Sequence, residues 1–201
     1  MLSRVASRVS LRSRERKLRL FHELLTPGPE TTVVDVGVTD APFGAGSTDN
    51  FFEALYPWPE RITAVGVTGL DTFAAAFPVV TAVRADGREL PFADNAFDLG
   101  FSNAVVEHVA GRAEQRRFVH ELCRVSQRVF VTTPNRFFPL EVHTLVPFAH
   151  WLPRGPRDRV LRARGFDDVL EPLGPSEFAS LFPYRVRIVN TGMTLIAVGP
   201  E

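Results

Sequence analysis

Five short apolar segments separated by helical patterns constrain this chain more than any other feature. Residues 31–38 (TTVVDVGV), 61–67 (RITAVGV), 79–86 (VVTAVRAD), 95–103 (NAFDLGFSN) and 128–134 (RVFVTTP) read as strands. The near-continuous apolar character of the first marks a central, buried position. Between them lie helical stretches: STDNFFEALYP at 47–57, LDTFAAAFP at 70–78 and AEQRRFVHELCRVS at 113–126. The first has Ser47 or Thr48 as its N-cap candidate. The last places Phe118, Val119, Leu122 and Val125 on one face. A further helix is expected over 14–25, with Leu18, Phe21, Leu24 and Leu25 at helical spacing and TPGP as its stop. Strands alternating with helices require a parallel sheet with right-handed crossovers. The ending differs. YRVRIVN (184–190) and TLIAVG (194–199) are linked too closely for anything but a hairpin. The expected fold is a Rossmann-like three-layer α/β/α sandwich with a seven-stranded, mostly parallel sheet and an antiparallel C-terminal hairpin strand.

A chain of 201 residues suits one domain over 1–201. Formal net charge is zero, so no global field draws the protein to nucleic acid, and none is expected as a partner. Cys123 is the only cysteine, which fits a reducing compartment. No apolar run is long enough to span a bilayer. The segment 1–26 is basic, with no acid before Glu15. It reads as a helix that is solvated or touches a membrane surface or a partner, its Arg- and Ser-rich, acid-poor composition also being that of an organelle transit peptide. Lys17 is the single lysine among 23 basic residues. Such arginine usage points to a GC-rich bacterial source, and the expected location is the cytoplasm.

Residues 84–109, RADGRELPFADNAFDLGFSNAVVEHV, carry a family resemblance. An acid-containing turn, Leu-Pro-Phe, an Asp-x-x-Phe-Asp strand and a Glu-His turn follow in order. The chain resembles the class I S-adenosylmethionine-dependent methyltransferases, in particular their small bacterial branch, over roughly residues 30–135. The terminal hairpin fits that family's seventh strand. The resemblance implies S-adenosylmethionine as cofactor and S-adenosylhomocysteine as product. It implies a cofactor set of Asp35, Gly37, Val38, Thr39, Thr68, Asp71, Asp86, Gly87 and Asn103, with Asp86 facing the adenine amino group. Two departures stand out. The family's Asp-x-Gly-x-Gly-x-Gly loop continues here as Val38-Thr39-Asp40, with glycines only later, at Gly44 and Gly46. Thr68 occupies the place of the acid that holds the ribose, leaving Asp71 as a substitute three residues on. The alternative is therefore a non-catalytic methyltransferase-like binding or partner module.

Methyl transfer from a sulfonium requires positioning of the nucleophile and, for an oxygen acceptor, removal of a proton. His143, His108 and Glu141 are the candidate catalytic groups, His143 first because its ordinary pKa lies near neutrality. The Pro- and aromatic-rich stretch after the fifth strand reads as a lid over 134–165. It resembles a segment of one methyltransferase subgroup in which Pro-Asn-Arg precedes His-Thr and His-Trp-Leu-Pro. Arg136, Phe138, His150 and Trp151 are its candidate contacts to a small-molecule acceptor, probed first as an oxygen acceptor. No histidine spacing suits a metal, and none is expected.

Overall fold

The computed structural model describes residues 2–41, 43, 49–141, 144 and 146–201, with side chains from residue 12 onward. The strands are β1 (Val33–Val36), β2 (Ile62–Gly66), β3 (Thr81–Arg84), β4 (Phe97–Asn103), β5 (Ser126–Pro134), β6 (Arg187–Asn190) and β7 (Thr194–Gly199). The helices are α1 (Leu2–Leu25), α2 (Phe51–Leu55), α3 (Asp71–Ala76), α4 (Arg112–Val125), α5 (Arg154–Arg162) and α6 (Pro175–Ala179). The sheet order is β3-β2-β1-β4-β5-β7-β6. β7 pairs antiparallel with both β5 and β6, and the other pairings are parallel. The strand order reverses between β1 and β4, which opens a crevice at their C-terminal ends. All four residues of β1 are buried, as a central strand requires.

Local differences from the sequence reading have physical causes. Helix α1 begins near the start of the chain rather than at residue 14, because Arg, Ser and Leu offer no helix breaker before Thr26. Helix α2 starts only at Phe51, since Asn50 is held in the left-handed region at φ 53°. The expected caps Ser47 and Thr48, with Gly44 and Gly46, lie outside the described residues. Helix α6 was not anticipated; Glu177 accepts a hydrogen bond from the Gly174 amide at 2.8 Å and so starts it. No helix among the described residues is long and apolar enough to cross a membrane.

The two faces of the sheet carry separate cores. On one, Phe118, Val119 and Leu122 of α4 pack on Val34, Val36 and Val131. On the other, α1 inserts Phe21 edge-on among Phe52, Tyr56, Phe101 and Phe130, with centroids 5.1–6.0 Å apart. Helix α1 runs antiparallel to the central strands. Arg128, early in β5, donates to the Leu24 and Leu25 carbonyls at the helix C-terminus. Two turns earlier, Lys17 reaches Asn103 at the far end of β4. Phe21 therefore both fills the core and sets where Lys17 stands. Phe21→Ala is expected to lower stability by ~3–5 kcal/mol in denaturant unfolding, and a loss below about 1 kcal/mol would show that α1 docks by other contacts.

Candidate active site

The crevice between β1 and β4 is built first by the backbone. Gly37 follows β1 at φ 114°, and its amide and that of Val38 both donate to the Val65 carbonyl. A Cβ at Gly37 would lie 2.2 Å from Val105 Cγ2. Where the related loops carry further glycines, this chain uses side chains. Val38 is buried against Leu70 and Phe73 in the core on the α1 side. Asn50 accepts from the Thr39 amide at 3.1 Å and donates to the Thr39 and Ala41 carbonyls at 2.8 and 2.6 Å. Asp40 accepts from the Phe73 amide at 2.9 Å and caps α3 from a distance. Residues 39–41 are thus pinned by side chains.

Beneath that loop lies a pair of acids. Asp35 in β1 and Glu53 in α2 are both buried, at 6% and 3% exposure. Neither Glu53 oxygen meets a hydrogen-bond donor. Burial, and then mutual repulsion, raise the Asp35 pKa well above the carboxylate range, and burial raises that of Glu53. Such a pair retains a shared proton or waits for a cation. Asp35 also lines a small cavity of about 40 Å³ with Gly37, Val38, Asn50, Phe51 and Asn103. Asn103 Oδ1 accepts from Lys17 Nζ at 2.7 Å and from Thr132 Oγ1 at 2.9 Å.

Along the rest of the crevice rim, Thr68 and Asp71 are exposed, after β2 and at the start of α3. Asp86 follows β3, but both its oxygens are engaged by the Arg88 guanidinium, at 2.6–3.2 Å. Those hydrogen bonds hold its pKa down at about 2. Gly87 is required by packing: a Cβ there would meet Phe118 at 2.5 Å and Val36 at 2.8 Å.

The candidate catalytic and acceptor residues are less gathered. His143 lies outside the described residues. His108 Nδ1 is 2.9 Å from the Val169 carbonyl, tying the turn after β4 to the chain before α6. Glu141 is buried and accepts from the Thr144 amide and hydroxyl at 2.6 and 2.5 Å, a local turn contact. Arg136 pairs with Glu177 at 3.0 Å, not with Glu141. His150 Nε2 and Trp151 Nε1 both meet the Arg136 carbonyl, at 2.9 and 2.5 Å. Arg136, His150 and Trp151 thus converge with Phe137 on a cavity of about 530 Å³. Phe138 is not part of it. That cavity shares no lining residue with the Asp35–Asn103 pocket.

A family model described as "Methyltransferase domain" matches residues 43–128. Over those residues the chain is similar to that family, whose model spans rather less than half of the chain. Solved structures give the same fold. The PH0226 protein of Pyrococcus horikoshii superposes with a TM-score of 0.62 at 16% identity, covering 95% of this chain and 91% of that one. An S-adenosylmethionine-dependent methyltransferase from Mesorhizobium loti gives 0.58 at 15%, covering 84% and 90%. One from Aquifex aeolicus gives 0.52 at 16%, covering 90% and 88%. At such identities the likeness speaks for the fold alone. No curated protein matches the chain.

Asp35 and Glu53 form a buried acid pair in which neither Glu53 oxygen meets a donor, an arrangement that would accept the α-ammonium of S-adenosylmethionine with its three donors. Three residues around this pocket are not singled out as site residues by the sequence: Lys17, Asp40 and Glu53; Asn50 reads there as a candidate donor near the altered loop. Two signals existed. Lys17 is the one lysine in an arginine-rich chain, and Glu53 is the one charge inside FFEALY.

Proposed function

We propose that the protein transfers the methyl group of S-adenosylmethionine to an oxygen atom of a small-molecule acceptor. The observation that carries this reading is the buried Asp35–Glu53 acid pair, in which Asp35 lines the small pocket behind Gly37 and neither Glu53 oxygen meets a donor. When bound, the cofactor supplies an electrophilic methyl group on a sulfonium. Asp35 and Glu53 hold its α-ammonium. Gly37 lets the backbone approach it, and Asn103 orients the acceptor side. Thr68 and Asp71 lie where the ribose would rest. Asp86 and Gly87 lie where the adenine would, with Asp86 sharing its carboxylate between Arg88 and the base. The segment 134–165 is the cap of a single domain, with proton removal assigned to His143 and acceptor contacts to Arg136, His150 and Trp151. The setting is a bacterial cytoplasm, in keeping with the lone Cys123 and the arginine usage.

Calorimetric titration with S-adenosylmethionine and S-adenosylhomocysteine tests the reading, with Asp35→Asn as control. Binding at about micromolar Kd, weakened at least ~10-fold in the variant, is expected. No binding of either ligand at millimolar concentration contradicts it and favours a non-catalytic module. The altered glycine loop is the observation behind that second reading.

A further inference from the structure

Lys17 belongs to two cavities' surroundings at once. Its ammonium donates to Asn103 of the cofactor pocket, and it lines a second cavity of about 240 Å³ between α1 and the β6–β7 hairpin. The walls of that cavity include Arg12, Arg16, Thr191, Met193 and Thr194, and no acid lines it. The hairpin turn lies at the C-terminal edge of the sheet, because Thr194 pairs with Pro134 at the end of β5. The cavity is thus on the rim where the cofactor pocket opens. Arg12 and Arg16 stand one helical turn apart and exposed, and neither has an ion pair or hydrogen bond among the described residues. Like charges so spaced on a helix repel unless something neutralises them. The charges facing Lys17 are the Arg14 guanidinium and the Glu107 carboxylate, and Arg14 is itself near Asp49. Burial and Arg14 hold the Lys17 pKa at about 8, although Glu107 opposes them. An anion placed in the cavity would have the Arg12, Arg16 and Lys17 side chains in its walls, the Lys17 ammonium itself being held on Asn103.

We propose that this cavity binds an anionic group of the methyl acceptor, a carboxylate or a phosphate, and that Arg12, Arg16 and Lys17 hold it beside the cofactor pocket. The inference rests on the methyl-transfer reading for the identity of the ligand, not for the existence of the anion site. The acceptor is then a small acid, drawn in by its charge and oriented by the helix that Phe21 docks.

The single lysine makes the test direct. Protein labelled with 13C-lysine gives one Cε signal, which reports the charge and surroundings of Lys17. Inorganic phosphate and acetate are titrated into the free protein and into protein saturated with S-adenosylhomocysteine. The proposal expects the signal to shift at about millimolar phosphate or acetate in both states, with the apparent pKa of Lys17 rising by about one unit. The stronger of the two anions identifies the class of acceptor. Arg12→Ala/Arg16→Ala is expected to weaken the anion response at least ~10-fold while leaving S-adenosylhomocysteine affinity unchanged. A signal unmoved by either anion overturns the proposal. So does a signal that moves with S-adenosylhomocysteine alone, which would assign Lys17 to the cofactor's carboxylate. An anion response without S-adenosylhomocysteine binding keeps the anion site and counts against the methyl-transfer reading instead.

Discussion

Replacing Glu53 by glutamine is expected to make the ligand-free protein more stable and the cofactor complex weaker. The reason lies in the pairing of two buried carboxyl groups, of which Glu53 meets no donor at either oxygen. Their pKa values are raised in the folded protein, so the folded state binds more protons than the unfolded chain above the usual carboxylate range. Stability contributed by the protonated pair is complete below an unfolded carboxylate pKa of ~4 and is lost as pH rises through the raised folded values. At neutral pH the pair is a strained feature. Glutamine keeps the shape, removes a charge and offers Asp35 an amide donor. A gain on the order of 1–3 kcal/mol is expected in urea unfolding near pH 7.5, shrinking toward pH 4. The same change removes a charged partner of the α-ammonium, so S-adenosylhomocysteine affinity should fall ~10- to 100-fold. A variant less stable than the parent, or one that binds as tightly, contradicts the role assigned to Glu53.

The second large effect belongs to Gly37. At φ 114° an L side chain is strained whatever the space, and here there is none, with Val105 Cγ2 2.2 Å from the added carbon. Val105 precedes the Val106–His108 turn that carries Glu107, so a displaced Val105 moves the acceptor side as well. Backbone strain of ~1–3 kcal/mol and overpacking of similar size give an expected loss of ~2–5 kcal/mol for Gly37→Ala. Cofactor binding should become undetectable by calorimetry. Gly69 has nothing within 4 Å of an added carbon, and Gly69→Ala should stay within about 0.5 kcal/mol of the parent. Equal behaviour of the two variants would contradict the close approach at Gly37.

Much of the architecture was legible because it depends on local pattern. The apolar runs, their alternation with helices and the closely linked final strands lead to a mostly parallel seven-stranded sheet with an antiparallel terminal hairpin, while its order β3-β2-β1-β4-β5-β7-β6 comes from the structure. Asp35 and Gly37 were also legible, as the end of a buried strand. The rest of the site depends on contacts between distant segments. Lys17 meets Asn103 across 86 positions, and only the docking of Phe21 brings them together. Glu53 looked like an ordinary helix residue until α2 turned it toward Asp35. The loop after Gly37 looked impaired because its missing glycines were conspicuous. What replaces them, Asn50 and Asp40, are single polar residues whose partners the sequence does not reveal. In the 134–165 segment the residue types suggested contacts to an acceptor. The structure adds that Arg136 is paired with Glu177 of α6, a helix outside the sequence reading.

The account's central claim is that an acid pair, rather than a glycine-rich loop, anchors the cofactor. The most direct test counts protons. S-adenosylhomocysteine shares the α-ammonium, and its binding is measured by calorimetry at roughly pH 6.5–7.5, between carboxylate and α-amino titration, in two buffers of different ionisation enthalpy. The ammonium favours both carboxylates ionised, so the shared proton must leave. The account predicts net proton release on binding, affinity that rises with pH by up to ~10-fold per unit, and loss of both in Glu53→Gln. Binding with no proton release and no pH dependence would contradict it and would place the α-ammonium elsewhere.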